Sequence, residues 1–236
     1  YNRGNWNIFK TRDYWLYRYH PIFVEDPDHI AFGKISADHT LVEIFSEDIT
    51  AEQYENGQYP ALSLFNNDQM LFAKLLCDRD GVIIHSNGFD LYGNGILLTG
   101  ESGSGKTTLS QMLKNKGFNI LCDDRTFILK TKKGFKAYGS WCHGSVPDTS
   151  AASASLKAIF ILEKSNKNQI ELVEDKTRIV NHLIQSMVRP FLEAGDWHKS
   201  FNLIETVAQE INCYKLQFDL SGKICKKMIE LLRKTA

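Results

Sequence analysis

Apolar residues fall into two kinds of run along this chain, and the order of those runs sets out its elements. Through the first sixty residues the runs are short and rich in aromatics: Tyr14-Trp15-Leu16-Tyr17-Arg18-Tyr19, residues 29–35 and residues 41–45. They are separated by turn formers such as Glu25-Asp26-Pro27-Asp28 and Ser36-Ala37-Asp38. This is strand patterning, and it predicts a packed β-rich portion over residues 1–65 rather than a surface on which bases stack. From residue 66 onward, strand and helix periods alternate. Leu71, Phe72, Leu75 and Leu76 make one helical face over 67–80, with Asn66 or Asn67 as cap and Gly81 as stop. Val82-Ile83-Ile84-His85 and Phe89-Asp90-Leu91-Tyr92 read as strands, Gly93-Asn94-Gly95 turns the chain, and Ile96-Leu97-Leu98 reads as a buried strand. A helix over 106–116 buries Leu109, Met112 and Leu113 and ends at Gly117 in a left-handed cap.

Beyond it, residues 118–122 form a short apolar strand and 126–129 the next, with Lys132-Lys133-Gly134 as a turn. Residues 156–163 are continuously apolar enough for a central strand, with 169–173 as its partner. A helix over 177–188 presents Val180, Leu183, Ile184 and Met187 and is stopped by Pro190. A second helix over 196–209 presents Trp197, Phe201, Ile204 and Val207, and a strand at 214–218 leads into a last helix over 222–233. Alternation of this kind, with several strands joined through hairpins, predicts an α/β fold. Its core is a mixed β-sheet flanked by helices (66–236), with the N-terminal β-rich portion packed on it as part of one domain.

Composition narrows the classes. The 236 residues are 43% hydrophobic and 24% charged, ordinary for a globular protein. Twenty-eight basic and 28 acidic residues cancel, so no overall field recruits nucleic acid or an anionic membrane. No apolar run approaches the ~20 residues that a spanning helix needs. The five cysteines (Cys77, Cys122, Cys142, Cys213, Cys225) contain no C-x-x-C pair and are odd in number. They are read as reduced, mostly buried thiols of a cytoplasmic protein. The first residue is Tyr rather than Met, so the sequence is read as trimmed or processed at its start.

The chemistry concentrates in Gly100-Glu101-Ser102-Gly103-Ser104-Gly105-Lys106-Thr107-Thr108, which follows the 96–98 strand and opens a helix. The spacing is that of a phosphate-binding P-loop. Glycines let successive N–H groups turn toward one anion. Lys106 brings a mobile positive charge to the outer phosphates, Thr107 offers a hydroxyl to magnesium, and the helix dipole favours anions at its start. The alternative is a glycine-rich turn with no ligand, which the full match between a strand and a helix disfavours.

The strand at 118–122 ends in Asp123-Asp124-Arg125. A strand that ends in carboxylates beside a P-loop strand is a usual way to deliver a magnesium ligand. On an extended chain adjacent side chains face opposite ways, so unless the strand breaks between them the two take different tasks. One serves the metal and the other faces an attacking hydroxyl; the preference here is Asp124 for the metal and Asp123 for the hydroxyl. The rival reading is a mere hairpin start. Residues 139–155 are small, polar and glycine-containing, a segment of the kind that forms lids or touches substrate. His143 within it is a candidate contact, while Cys142-His143 lacks the companion pair that zinc requires. Arg189, at a helix end, is either a charge that complements the helix dipole or a phosphate contact.

Taken together, Ile84-His85-Ser86, the glycine loop with Lys106-Thr107-Thr108, and Leu121-Cys122-Asp123-Asp124-Arg125 shortly after it resemble the HPr kinase/phosphorylase-like kinases. The nucleotide domain of these kinases is similar to that of ATP-type phosphoenolpyruvate carboxykinase. The resemblance is strongest over 82–130. It implies ATP and Mg2+ as donor and cofactor, Lys106 and Thr107 on phosphates and metal, the Asp123/Asp124 pair divided between base and metal, and His85 near the transferred phosphoryl group. No Glu-Ile-Arg-Gly-like stretch is present, so neither phosphorolysis nor HPr as substrate is implied. The compact chain is more similar to stand-alone relatives beside peptide-modifying pathways, including kinases of a peptide serine. The expectation is transfer of the γ-phosphoryl group of ATP to a hydroxyl of a peptide or protein. A kinase of a small hydroxylated molecule and a nucleotide-gated binding protein are the rivals.

Overall fold

A computed structural model of the protein describes residues 2–3, 6–19, 31–46, 52, 55–56, 68–141, 148, 150–190 and 193–235. The chain divides by its own packing into Tyr1–Leu75 and Leu76–Ala236.

The first unit is an antiparallel meander of β1 (Asn2–Arg3), β2 (Trp6–Lys10), β3 (Tyr14–Tyr19), β4 (Ala31–Ser36) and β5 (Val42–Ser46), in that order across the sheet. Alternation sets its faces: Trp15 and Tyr17 are buried, and Tyr14 and Arg18 are exposed. Residues 29 and 30, expected to begin the second long strand, and the turn at 25–28 lie outside the described residues. Helix α1 (Asp68–Cys77) runs across the division. Gly81 does not stop it. Asp80 makes the turn with φ 53°, and Gly81 is already the first residue of the next strand.

The second unit holds a nine-stranded mixed sheet: β6 (Gly81–His85), β7 (Asn87–Leu91), β8 (Asn94–Thr99), β9 (Asn119–Cys122), β10 (Arg125–Thr131), β11 (Gly134–Tyr138), β12 (Ser153–Lys164), β13 (Gln169–Leu172) and β14 (Asn212–Phe218). Its helices are α2 (Lys106–Lys114), α3 (Lys176–Ser186), α4 (Ala194–Glu210) and α5 (Lys223–Thr235). The main path runs β6-β10-β11-β12-β8-β7-β9, with β14 beside β12 and β13 beside β14. Strand β12 pairs in parallel with both β8 and β14, while the other pairings are antiparallel.

The central strands are apolar throughout because both faces are covered. Leu97 and Ile159 point into a core with Ile179 and Leu183 of α3 and Leu203, Ile204 and Val207 of α4. Ile96, Leu98 and Phe160 point into another with Leu109 and Leu113 of α2 and Ile224, Cys225, Met228 and Leu232 of α5. Strands β7 and β8 turn on Tyr92-Gly93, both in the left-handed region (φ 53° and 85°), the two-residue hairpin geometry that matches strand twist.

Two further sequence expectations change. Strand β13 pairs with β14, not with β12, because β14 returns in parallel to occupy that edge of β12. Helix α3 ends at Ser186, before Pro190 acts. Met187 turns extended to bridge Ile84, and the Val188 N–H donates to the Ile83 carbonyl (2.9 Å), so the chain leaves the helix by pairing with β6.

Candidate functional site

The glycine loop leaves the C-terminal end of β8 and enters α2 at Lys106, so it lies at the mouth of the parallel β8/β12/β14 group. Two glycines are fixed by both backbone and space. At Gly100 (φ 151°) a Cβ would stand 2.8 Å from Ser104 Oγ, and at Gly105 (φ 98°) one would stand 2.8 Å from the Phe218 ring. Gly105 is also the N-cap of α2 and supplies no side-chain acceptor, so the first amides of the helix have no side-chain cap. The Lys106 ammonium donates to the carbonyls of Gly100 (2.8 Å) and Glu101 (3.3 Å) and folds the loop back on itself. Burial lowers its pKa from the ordinary lysine value, and the charges of Asp124 and Asp123 pull the other way.

The acidic pair is not on a strand. Strand β9 stops at Cys122, β10 starts at Arg125, and Asp123-Asp124 is the bend between them. The Cys122 thiol holds that bend: the N–H groups of Arg125 (3.1 Å) and Asp124 (3.5 Å) point at Sγ, which itself donates to the Arg125 carbonyl (2.9 Å). Ser140 Oγ donates to the same carbonyl (2.7 Å). The expected opposition of the two carboxylates is therefore lost, and both line one cavity.

Their surroundings differ. Asp123 is buried, and its Oδ1 accepts from Asn87 Nδ2, which also donates to Ser110 Oγ (2.7 Å). Ser110 in turn donates to the Lys106 carbonyl (2.9 Å), so a chain of bonds joins the acidic bend to the loop helix. Asp124 pairs with His85 Nδ1 (3.1 Å) and Arg125 Nε (3.3 Å). The hydrogen bond from His85 holds its carboxyl below the ordinary aspartate value against the opposing effect of burial, helped by the charges of Arg125, His85 and Lys106.

The cavity, ≈ 450 Å³, is lined by His85, Asn87, Asp123 and Asp124 on one side and by Ser102, Gly103, Gly105, Lys106, Thr107 and Thr108 on the other. The residues picked out from the sequence thus meet at one place, with three exceptions. Gly100 and Glu101 belong to the loop but line a second cavity, and Ser104 lines that one and a third. Arg189 is itself exposed, on the segment that runs antiparallel to β6, past Met187, in the direction away from His85. His143 and Cys142 lie outside the described residues; the feet of their segment are tied by Gly139 N–H to Ala152 O and Ser150 N–H to Leu121 O, both 3.1 Å.

Two further cavities touch the loop. The second, ≈ 440 Å³, runs from Gly100, Glu101 and Ser104 to Glu163, Arg178 and His182. His182 Nε2 lies 2.8 Å from Thr99 Oγ1, and burial, then the Arg178 charge, lowers the pKa of the imidazole. The third, ≈ 360 Å³, lies beside the first turn of α2 and reaches Phe218 and Leu220. Asn87, Ser110 and His182 escaped the sequence reading because their partners are 23 to 83 residues away. Only the i, i+4 spacing of Arg178 and His182 hinted at a shared helix face.

A family model described as SynChlorMet cassette protein ScmC matches residues 54–233. The HPr kinase/phosphorylase of Stenotrophomonas maltophilia is 33% identical over 103 residues, covering 39% of this chain and 32% of that protein. The HPr kinase/phosphorylase of Pediococcus pentosaceus is 33% identical over 81 residues, covering 31% of this chain and 25% of that protein. The chain thus spans about a third or less of the length of these curated relatives. The solved structure of the Hpr(Ser) kinase/phosphatase from Coxiella burnetii aligns with 64% of this chain and 88% of its own, at 13% identity and a TM-score of 0.36. The relationship to HPr kinases is distant and partial.

Proposed function

The chain belongs to the SynChlorMet cassette protein ScmC family, and we propose that it is a phosphotransferase that moves the γ-phosphoryl group of ATP to a hydroxyl, most specifically a serine of a peptide or protein. The observation that carries this reading is the single cavity lined by Lys106, Thr107, Asp123 and Asp124. We assign the activity to the P-loop core, residues 66–236, in a phosphoenolpyruvate carboxykinase/HPr kinase-like arrangement, with 1–65 as its β-rich N-terminal portion.

The groups present suit a triphosphate with Mg2+. Glycines 100 and 105 leave space that a Cβ would fill, and the donors facing the cavity from Thr107, Asp123 and Asp124 are oxygens. That matches a hard cation bound through one or two carboxylates, water and phosphate oxygens. Thr107 and Asp124 would hold Mg2+, which would offset negative charge on the phosphates.

Lys106 stabilises negative charge that develops on the outer phosphates. Asp124, kept ionised by His85 and Arg125, presents a charged oxygen on the metal side. Asp123, its Oδ1 fixed by Asn87, accepts the proton of the acceptor hydroxyl as the new O–P bond forms and the bond to the β-phosphate oxygen breaks, releasing ADP. His85 lies close enough to Asp124 to set its orientation beside the transferred group. A serine-containing peptide is the acceptor we would try first.

The test is incubation of the protein with ATP, Mg2+ and that peptide, read by mass spectrometry as the gain of one phosphate on serine. Lys106→Ala should abolish the gain and leave the fold intact by circular dichroism. A Lys106→Ala protein that transfers at the normal rate would sink the reading.

A further inference from the structure

Among the described residues, the cavity that holds the reacting groups has no apolar wall for the rest of a nucleotide: its lining is His85, Asn87, the loop, Lys106, two threonines and two aspartates. It meets the third cavity at Gly103, Gly105 and Thr108, residues that line both. A molecule whose phosphates lie along the loop and the first turn of α2 therefore has its reacting end beside Lys106 and its other end passing over Gly103 and Gly105.

What it meets there is of a different character. The third cavity, ≈ 360 Å³, is framed by residues 164–166, the turn after β12, and residues 218–220, the turn after β14. Both turns lie at the carboxyl ends of strands parallel to β8, where ligands of open α/β sheets bind. Leu220 is 79% exposed at its edge, and the Phe218 ring packs on Gly105 beneath the loop. Lys164 reaches back over the loop, with its Nζ 3.9 Å from where a Cβ on Gly103 would stand. A second ammonium thus stands near the loop at Gly103.

The turn that carries Leu220 is braced. Asp219 Oδ1 accepts from the Ser221 N–H (2.8 Å) and hydroxyl (2.5 Å), and the Asp219 N–H donates to Asn168 Oδ1 (3.3 Å). Ser104, 8% exposed and a lining residue of this cavity and of the second, carries a buried hydroxyl that has no hydrogen-bond partner among the described residues.

We propose that this cavity takes the nucleoside half of the phosphoryl donor, with Leu220 as the apolar platform for the base and Lys164 closing over the inner phosphates. The proposal rests on the nucleoside triphosphate reading above and adds to it where the base sits and which side chain distinguishes a nucleotide from a bare polyphosphate. Stacking on an aliphatic surface needs no base-specific bond. The rim groups Asn166 and Asp219 are placed for the ribose hydroxyls or the base edge.

The experiment is calorimetric titration of the intact chain with MgATP and, separately, with magnesium tripolyphosphate, which has phosphates and no nucleoside. The wild-type protein should bind ATP more tightly than tripolyphosphate. Leu220→Asp should weaken ATP by ~10-fold, the size of withdrawing a leucine-sized apolar contact, and leave tripolyphosphate within about twofold. Leu220→Met, which keeps an apolar platform, should restore ATP binding. Equal wild-type affinities for the two ligands, or a Leu220→Asp protein that binds ATP normally or loses both ligands together, would overturn the subsite. A wild-type protein that binds neither ligand would instead remove the donor reading itself, and the subsite with it.

Discussion

Asn87 is the sharpest place to test whether the acidic bend is held as described. Its amide is buried, and Nδ2 serves two acceptors, Asp123 Oδ1 and Ser110 Oγ. A hydrogen bond to a charged group is worth about 1.5–3 kcal/mol and a neutral one about 0.5–1.5 kcal/mol, so Asn87→Ala should cost roughly 3 kcal/mol. At about 2–4 °C per kcal/mol for a chain of this size, the melting midpoint should fall by roughly 6–12 °C. Lost stability alone would not identify the partner, so the decisive form is a double-mutant cycle with Asp123→Ala, followed by thermal and urea denaturation. The amide that holds the carboxylate should give a coupling of about 1.5 kcal/mol or more, whereas unconnected sites add within about 0.5 kcal/mol. Additive losses would refute the network, and with it the argument that Asn87 aims Asp123.

Three further outcomes are expected. In a magnesium titration, Asp123→Asn should lower phosphoryl transfer by ~10²-fold or more with ATP affinity kept, as for a lost proton acceptor, and Asp124→Asn should raise the magnesium requirement; full transfer by both at ordinary magnesium would defeat the mechanism. Because the folded pKa of Asp124 is depressed, its contribution to stability is present above the unfolded aspartate value and fades as pH falls through the folded one. His85→Ala should therefore flatten the loss of stability as pH falls below the ordinary aspartate value, and an unchanged acid limb would mean that the pair does not shift Asp124. Gly105→Ala combines a left-handed backbone, costing roughly 1–2 kcal/mol, with a Cβ 2.8 Å from the Phe218 ring. It should destabilise the chain and weaken ATP binding, and a normal melting midpoint would contradict the loop geometry.

The parts legible in the sequence were those set by neighbours in the chain. Glycine spacing gave the loop, apolar period gave α2 and α5, and Gly117 takes the left-handed conformation (φ 89°) expected of it. The sequence also selected Lys106, Thr107, Asp123, Asp124 and His85, which one cavity brings together. What it did not show depended on distant groups. The orientation of the acidic pair turns on a sulfur acceptor at Cys122 and on Ser140, and strand periodicity carries no sign of either. The misassigned partner of β13 has the same origin: the pairing is decided by β14, which arrives some forty residues later. Asn87 reads in sequence as one polar residue before a glycine, and its importance appears only once α2 and the acidic bend close around it.

The tight turn at Tyr92-Gly93 offers a handle for spectroscopy. It lies at the opposite end of β8 from the glycine loop, six residues or roughly 20 Å away, and Tyr92 is 87% exposed. Cys77, Cys122, Cys213 and Cys225 are all buried, and burial pushes the Cys213 thiol up to about 12 and raises that of Cys225. Thiols shielded in this way react slowly with maleimides. In a Cys142→Ser background, Tyr92→Cys would give one fast-reacting position, where a fluorophore could report nucleotide and acceptor binding from outside the chemistry.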